Sequence, residues 1–444
     1  MKKLKKNIWY WFFFDCGASA FATSVISVFY PSHLTTITKA ASDSNGFVHV
    51  LGLSIRAGSF FPYIISISVL LQIILLPIIG AIADYANRKI ERLAIFGYIG
   101  AFSTIAMYFI DGKAYIFGGI LFIIANLSFG IAVVFYNSLL PIIAKYEERD
   151  SVSTIGWGIG YFAGGILLLF QLLLTNYMSS HSYAESQIYR ICLGLSGIWW
   201  AFWITLTVIF LKIPNIVPKK QTNRNYIYSG FHDLKKTLLK LKNYPHTFLF
   251  LIAFFFYSDG IQTITNVASQ FGHEELKLSV NILIKAILIV QFVGLSGAII
   301  FNYISKFIGA KRTIIVTLFL FCMALVWSYG YLNGEPGFYA LSIFFGLIIV
   351  ASQALSRSSF SSMIPRGSEA EYFGIYEISE RGSSWLGPLC FGIGLQLTGS
   401  YRIAILSLII FFIIGIAFLS KVKFNKAIEE GNSQMLPAIP KIPG

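Results

Sequence analysis

Trp11-Phe12-Phe13-Phe14-Asp15-Cys16-Gly17, near the start of the chain, and Phe254-Phe255-Phe256-Tyr257-Ser258-Asp259-Gly260, past its middle, each set an aspartate into a long apolar run. An ionisable side chain at bilayer depth costs about 2.5–3.5 kcal/mol even on the mild insertion scale, so it needs a pairing or functional reason. One such acid in each half predicts a duplicated membrane protein whose halves face a shared polar site.

The composition agrees. The 444 residues are 56% hydrophobic and 12% charged, against roughly 25% charged for a soluble domain. A mean hydropathy of +0.70, with 41 Phe and 24 Tyr, leaves too little polar surface for a water-soluble globule. Cys16, Cys192, Cys322 and Cys390 each lie in an apolar run with no metal spacing or disulfide framework, and buried Cys behaves as a small hydrophobe. No cofactor or metal is expected. Twelve hydrophobic segments are legible: 8–31, 61–83, 93–110, 114–140, 153–175, 191–211, 246–268, 279–303, 313–332, 337–363, 372–398 and 402–420. About 20 apolar residues span a bilayer, so the expected fold is an all-α polytopic membrane protein.

The net charge of +14 reports topology. An even number of spans returns both termini to one side. Of the 34 Lys and Arg, only Lys39, Arg56, Lys113, Arg190, Lys277 and Arg402 then fall on the other side, and Lys285, Arg357 and Arg381 are embedded. Positive charge stays inside, so both ends are expected in the cytoplasm, with the basic excess meeting anionic lipid rather than nucleic acid. The start, Lys2-Lys3-Leu4-Lys5-Lys6 and Trp9 to Phe14, resembles a secretory leader with Ala18-Ser19-Ala20 as its cleavage site. Its apolar run continues to Tyr30 through an acid, however, and the matching run around Asp259 cannot be a leader. The first helix is expected to be retained.

The stretch 213–244 divides the chain into an N-terminal six-helix bundle (1–212) and a C-terminal one (245–421), followed by a tail (422–444). From Phe231 the linker carries Phe231, Leu234, Leu238 and Leu241 on one stripe with Lys235, Lys236, Lys240 and Lys242 off it. That pattern suits either a helix on the inner leaflet or a solvated connector. The halves also echo each other in Phe135-Tyr136-Asn137-Ser138-Leu139-Leu140-Pro141 and Phe360-Ser361-Ser362-Met363-Ile364-Pro365, and in glycine-rich segments five and eleven. Repeats of this size mark secondary transporters, with the site between them near the midplane. Gly156-x-Gly158-x-Gly160 superficially matches a dinucleotide loop, but it lies in an apolar span with no preceding strand, which suits close helix packing. No Walker sequence occurs, leaving an ion or substrate gradient as the energy source.

Gly80-Ala81-Ile82-Ala83-Asp84-Tyr85-Ala86-Asn87-Arg88-Lys89 is similar to the signature inner loop of the major facilitator superfamily. More specifically, the chain resembles the vacuolar amino-acid effluxer family, the fungal autophagy-linked proteins and their bacterial relatives. The resemblance is carried by Asp15 with Ser19 to Thr23, Phe135-Tyr136-Asn137 with Pro141, Tyr257 to Thr263, Gln353 to Ser358 with Pro365, Phe373-Gly374 and Gly387-Pro388. Where that family commonly reads Asp-Trp-Ala-Asn-Ser, this chain reads Asp15-Cys16-Gly17-Ala18-Ser19, a departure that touches substrate identity and not fold.

In the superfamily's architecture helices 1, 4, 7 and 10 line a cavity flanked by 2, 5, 8 and 11. Embedded charges sort onto these: Asp15, Asp259, Lys285, Arg357, Glu377, Glu380 and Arg381. Asp259, roughly 21 Å along its helix at 1.5 Å per residue, is too deep to reach water by snorkelling and is the first candidate to exchange a proton during transport; Asp15 is the second. Arg357 suits either a substrate carboxylate or an acid across the halves. Tyr257, Gln262, Asn137 and Gln353 complete the candidate substrate and coupling set. Asp84, Arg88, Glu377 and Arg381 are candidates for gating, with Glu377 and Arg381 spaced to pair on one helix face. Lys285 is placed to snorkel outward.

The resemblance implies a monomeric secondary transporter in a bacterial inner or equivalent plasma membrane. It would move a small zwitterion such as an amino acid by alternating access, with protons as coupling partner and lipid as surroundings. Export of a drug- or siderophore-type solute is the alternative within the fold. An intramembrane aspartyl protease also uses two membrane aspartates, but needs them on adjoining helices with a Gly-x-Gly-Asp motif, which is absent here.

Overall fold

A computed structural model describes residues 2–85, 88–144, 149–212, 244–364 and 384–432, together with Tyr376, Ser379, Glu380 and Gly382. Among the described residues, 11 helices are long and apolar enough to cross a bilayer. Six form the first half: α1 (Lys6–Ala40), α2 (Phe60–Tyr85), α3 (Lys89–Ala106), α4 (Tyr115–Asn137), α5 (Arg149–Ser180) and α6 (Glu185–Phe210). The second half has α7 (Pro245–Glu274), α8 (Val280–Ile308), α9 (Ala310–Gly330), α10 (Gly334–Met363), α11 (Leu386–Thr398) and α12 (Tyr401–Lys421). Of these α11 is the short one at 13 residues, because the first part of expected segment 372–398 falls largely outside the described residues. A last helix, α13 (Phe424–Asn432), packs Phe424 against Phe250 of α7. The linker 213–243, including its amphipathic stripe, also lies outside them.

The helices overrun their apolar windows, since polar turns at a membrane surface remain helical. The first is the extreme case. At 35 residues it is roughly 50 Å long against a hydrocarbon core of ~30 Å. Pro31 falls inside it, and the chain passes through by winding Phe21–Phe29 as a π-helix and placing Pro31 in the first turn of the resumed α-helix, where its missing N–H does no harm. In α winding the Ser27 carbonyl would look to residue 31 for a donor. That carbonyl accepts instead from the Ser269 hydroxyl of α7, in the other half.

Between α1 and α2 the chain makes a β-hairpin that the apolar pattern did not announce: β1 (Phe47–Val50) pairs antiparallel with β2 (Leu53–Arg56). Its two-residue turn, Leu51-Gly52, has φ of 51° and 81°, the doubly left-handed form that matches strand twist.

Buried apolar side chains form one large cluster per half. Val280, Ile284 and Leu288 of α8 belong to the first half's cluster, so α8 is a seam between the halves. The polar links between halves gather at the face carrying the hairpin. Gln270 of α7 donates to Thr35 Oγ1 at 2.9 Å and to Gly58 O at 2.7 Å. Lys39 pairs with Glu274. Arg56 N–H donates to Gln396 Oε1 at 2.7 Å, and Gln396 Nε2 donates back to Ser54 O at 3.0 Å. The hairpin thus ties α2 to the end of α11, and the hairpin face of the interface is closed.

Candidate functional site

Each aspartate is seated within its own half, against glycines of the fifth helix of that half. Asp15 on α1 accepts a hydrogen bond from the Tyr136 hydroxyl at the end of α4. The Tyr136 ring lies between Trp11, at 4.0 Å and 8°, and Phe14, at 4.4 Å and 25°. Such ring pairs add about 0.5–1.5 kcal/mol each. Trp11 Nε1–H also donates to the Tyr136 carbonyl at 3.1 Å, so the phenol is locked onto the acid. Facing it, α5 clears space: a methyl at Gly156 would stand 2.7 Å from Asp15 Oδ2, and one at Gly160 3.1 Å from Asp15 Cβ. The glycine run read as helix packing is that, except at Gly158, which meets nothing within 4 Å.

Asp259 on α7 is completely buried. Its Oδ2 accepts from the Gly387 N–H at 2.8 Å, and Thr263 donates to Oδ1 at 3.4 Å. Gly387 is the second residue of α11, whose first N–H groups have no partner inside the helix. A carboxylate is favoured at such an end. Asp259 therefore caps α11 from a different helix. A Cβ at Gly387 would fall 2.0 Å from Thr263 Oγ1, so only glycine lets the two elements close.

The duplication is thereby visible at the level of contacts. A hydroxyl follows each acid by one helical turn, Ser19 after Asp15 and Thr263 after Asp259. These hydroxyls face Gly164 of α5 and Gly387 of α11.

A polar layer sits beside the second seat. Gln262 Nε2 donates to Glu380 O at 3.1 Å and Ser258 Oγ at 3.3 Å, and Ser384 Oγ donates to Gln262 Oε1 at 2.7 Å. Tyr257 shares a 2.5 Å hydrogen bond with Ser356 of α10. Trp385, just before α11, packs against the first half's core. The start of α11 thus lies against the first half.

The other expected residues spread out. Arg357 is exposed and Gln353 half-buried along α10, while Asn137 is exposed as the last residue of α4. Arg88 is exposed and pairs with Glu91 at 3.2 Å. Asp84 is in the last turn of α2, its side chain outside the description, and Glu377 and Arg381 lie outside the described residues. Lys285 is exposed on α8 in line with Phe292 and Ile299, as a snorkelling lysine requires. Tyr136, Thr263, Gly387 and Ser384 were not among the candidates, although the hydroxyl one turn after each aspartate was a readable sign of two of the seats.

Tyr136→Phe is expected to keep the ring sandwich and folded yield while changing the pH profile of transport and lowering its rate several-fold. An unchanged profile would remove the phenol from the coupling site.

Six helices in each half, with one aspartate seated in each, build the fold of the major facilitator transporters, and the chain's relatives are transporters rather than enzymes. Solved structures with the same fold include a D-xylose-proton symporter, with a TM-score of 0.64, 16% identity and coverage of 94% of this chain and 97% of that one. Another is a bacterial homolog of the human lysosomal transporter Spinster, inward-facing and unoccupied, with a TM-score of 0.66, 13% identity and coverage of 97% and 98%. The chain belongs to the family described as "Vacuole effluxer Atg22 like", which matches residues 3–432. It is 27% identical to the Bacillus subtilis (strain 168) protein named "Uncharacterized MFS-type transporter YxiO", over 95% of both chains. It is also 27% identical to Autophagy-related protein 22 of Kluyveromyces lactis, over 93% of this chain and 92% of that one.

Proposed function

We propose that this chain carries a small zwitterion such as an amino acid across the membrane by alternating access, coupled to protons exchanged at Asp259 and Asp15. The observation that carries this reading is the matched seating of the two acids, each held by a hydrogen-bond donor in its own half. A charged carboxylate grips such a donor about twice as strongly as a neutral group does. Proton uptake therefore loosens α11 at Asp259 and α4 at Asp15, elements that border the interface. The family's description as an effluxer favours solute export. The charge distribution favours both termini in the cytoplasm, which makes the hairpin face the outer one. Arg357 supplies a guanidinium for a substrate carboxylate or for an acid across the halves, and Arg88 with the α2–α3 loop belongs to the gating elements.

Purified protein in liposomes tests this with radiolabelled leucine, lysine and tyrosine. Uptake driven by an imposed pH gradient is expected to fall to background on adding a protonophore. Flux indifferent to the protonophore would remove proton coupling, and flux of a siderophore with none of the amino acids would replace the substrate class.

A further inference from the structure

We propose that the cleft at the hairpin face, between the α5–α6 turn and the α7–α8 loop, is a second binding site for a small zwitterion with an apolar side chain. It lies outside the membrane-buried seats, at the end of α7 and roughly 21 Å along that helix from Asp259.

The cleft has a volume of about 400 Å3, within the ~300–1,000 Å3 of small-molecule sites. Its walls come from both halves. Tyr183, Glu185 and Ile188 line it from the first, and His273, Lys277 and Val280 from the second. An occupant therefore bridges the halves and keeps both walls only while this face is closed.

Charge sets the ligand class. Glu274, also on the wall, is 4% exposed and committed to Lys39. Glu185 is 46% exposed. It accepts from Tyr189 at 3.1 Å and lies 3.8 Å from His273 Nδ1, which fixes the carboxylate while leaving it open to an ammonium. The lysine that lines the cleft from the second half is Lys277, whose φ is 56°. Lysine is rarely found in this left-handed conformation, and glycine would take it without strain. Strain of this kind persists where the surroundings impose it and clusters at ligand clamps. What lysine adds is an amine on a residue that lines the cleft, a group that suits a carboxylate. Ile188, Leu278 and Val280 add apolar lining to the same cleft.

Calorimetry on the full-length protein in detergent micelles tests the assignment with three probes: L-leucine, leucinamide, which lacks the carboxylate, and N-acetyl-leucine, which lacks the ammonium. Glu185→Gln keeps an acceptor for Tyr189, and Lys277→Gly relieves the backbone, so both variants are expected to fold. Each should weaken leucine binding about tenfold or more, the loss of a charge-assisted hydrogen bond. Lys277→Gly should leave leucinamide binding unchanged, and Glu185→Gln should leave N-acetyl-leucine binding unchanged. Leucine binding that neither variant alters, equal binding of leucine and N-acetyl-leucine, or no leucine binding would each overturn the proposal. Binding does not depend on transport, so the two readings fail separately. Leucine flux without this binding pattern sinks the cleft alone, and the binding pattern without flux supports the cleft and removes leucine as cargo.

Discussion

Asp259→Asn is expected to abolish proton-driven uptake in liposomes, lowering the initial rate about tenfold or more, equivalent to at least ~1.4 kcal/mol, with folded yield close to the parent's. The asparagine keeps a side-chain oxygen where Asp259 Oδ2 accepts from the Gly387 N–H at 2.8 Å, so α11 retains its anchor. What it loses is the ability to gain and release a proton. Asp259→Ala separates the two roles. It strands the Gly387 N–H in a buried site, a loss of about 1–3 kcal/mol, and should lower the melting temperature as well as the rate. If D259N still takes up substrate in a protonophore-sensitive way, Asp259 serves only to fix the start of α11, and the coupling role passes to Asp15.

The largest effect on stability is expected at Gly297. There α8 crosses α10 so closely that a Cβ would stand 2.1 Å from Leu347 O and 2.5 Å from Leu347 Cα. Both are backbone atoms, so no side-chain rotation relieves the contact. Nearby, Gly346 of α10 has the Val290 carbonyl 3.1 Å from where its own Cβ would be, making a seam of small residues of the kind that lets membrane helices approach. Gly297→Ala should cost about 1–3 kcal/mol or more by overpacking. Most of the protein should then be lost or aggregated in size-exclusion profiles after solubilisation. Gly158→Ala is the control, because nothing lies within 4 Å of its added methyl, and helix propensity favours the change by up to ~1 kcal/mol. Equal yields from the two variants would show that the α8–α10 seam is looser than its geometry.

The membrane helices were legible because bilayer thickness imposes a minimum apolar length, and the acids because a charge within such a run stands out. Their partners were less accessible for a physical reason. Asp259 is held by a backbone N–H, a group every residue but proline carries, so nothing in the side chain of Gly387 announced the bond. Tyr136 was quoted for its motif yet passed over, since its hydroxyl points at a helix 121 positions away in the chain. The β-hairpin was hidden because Leu51 occupies a left-handed position where Asn, Asp or Gly would have signalled the turn. Arg56 and Lys39 were read as mere outer charges. Gln396 and Glu274 turn them into links between the halves, which periodicity along one helix does not foresee.

The π-wound stretch Phe21–Phe29 also bears on how this chain can change over evolutionary time. A π segment stores length, since it is an α-helix that has taken in an additional residue without unwinding. Deleting one residue before Ser27 can be absorbed by a return toward α winding in that part alone, which leaves the passage of Pro31 and the Ser27–Ser269 link in place, with Asp15 on one flank and Lys39 on the other each keeping its phase within its own segment. The same deletion within α7 has no such reserve. It would turn Asp259 about 100° relative to Gln270, breaking either the anchor of α11 or the closed face. Of the two helices that carry the acids, the first is free to drift in length and the seventh is not.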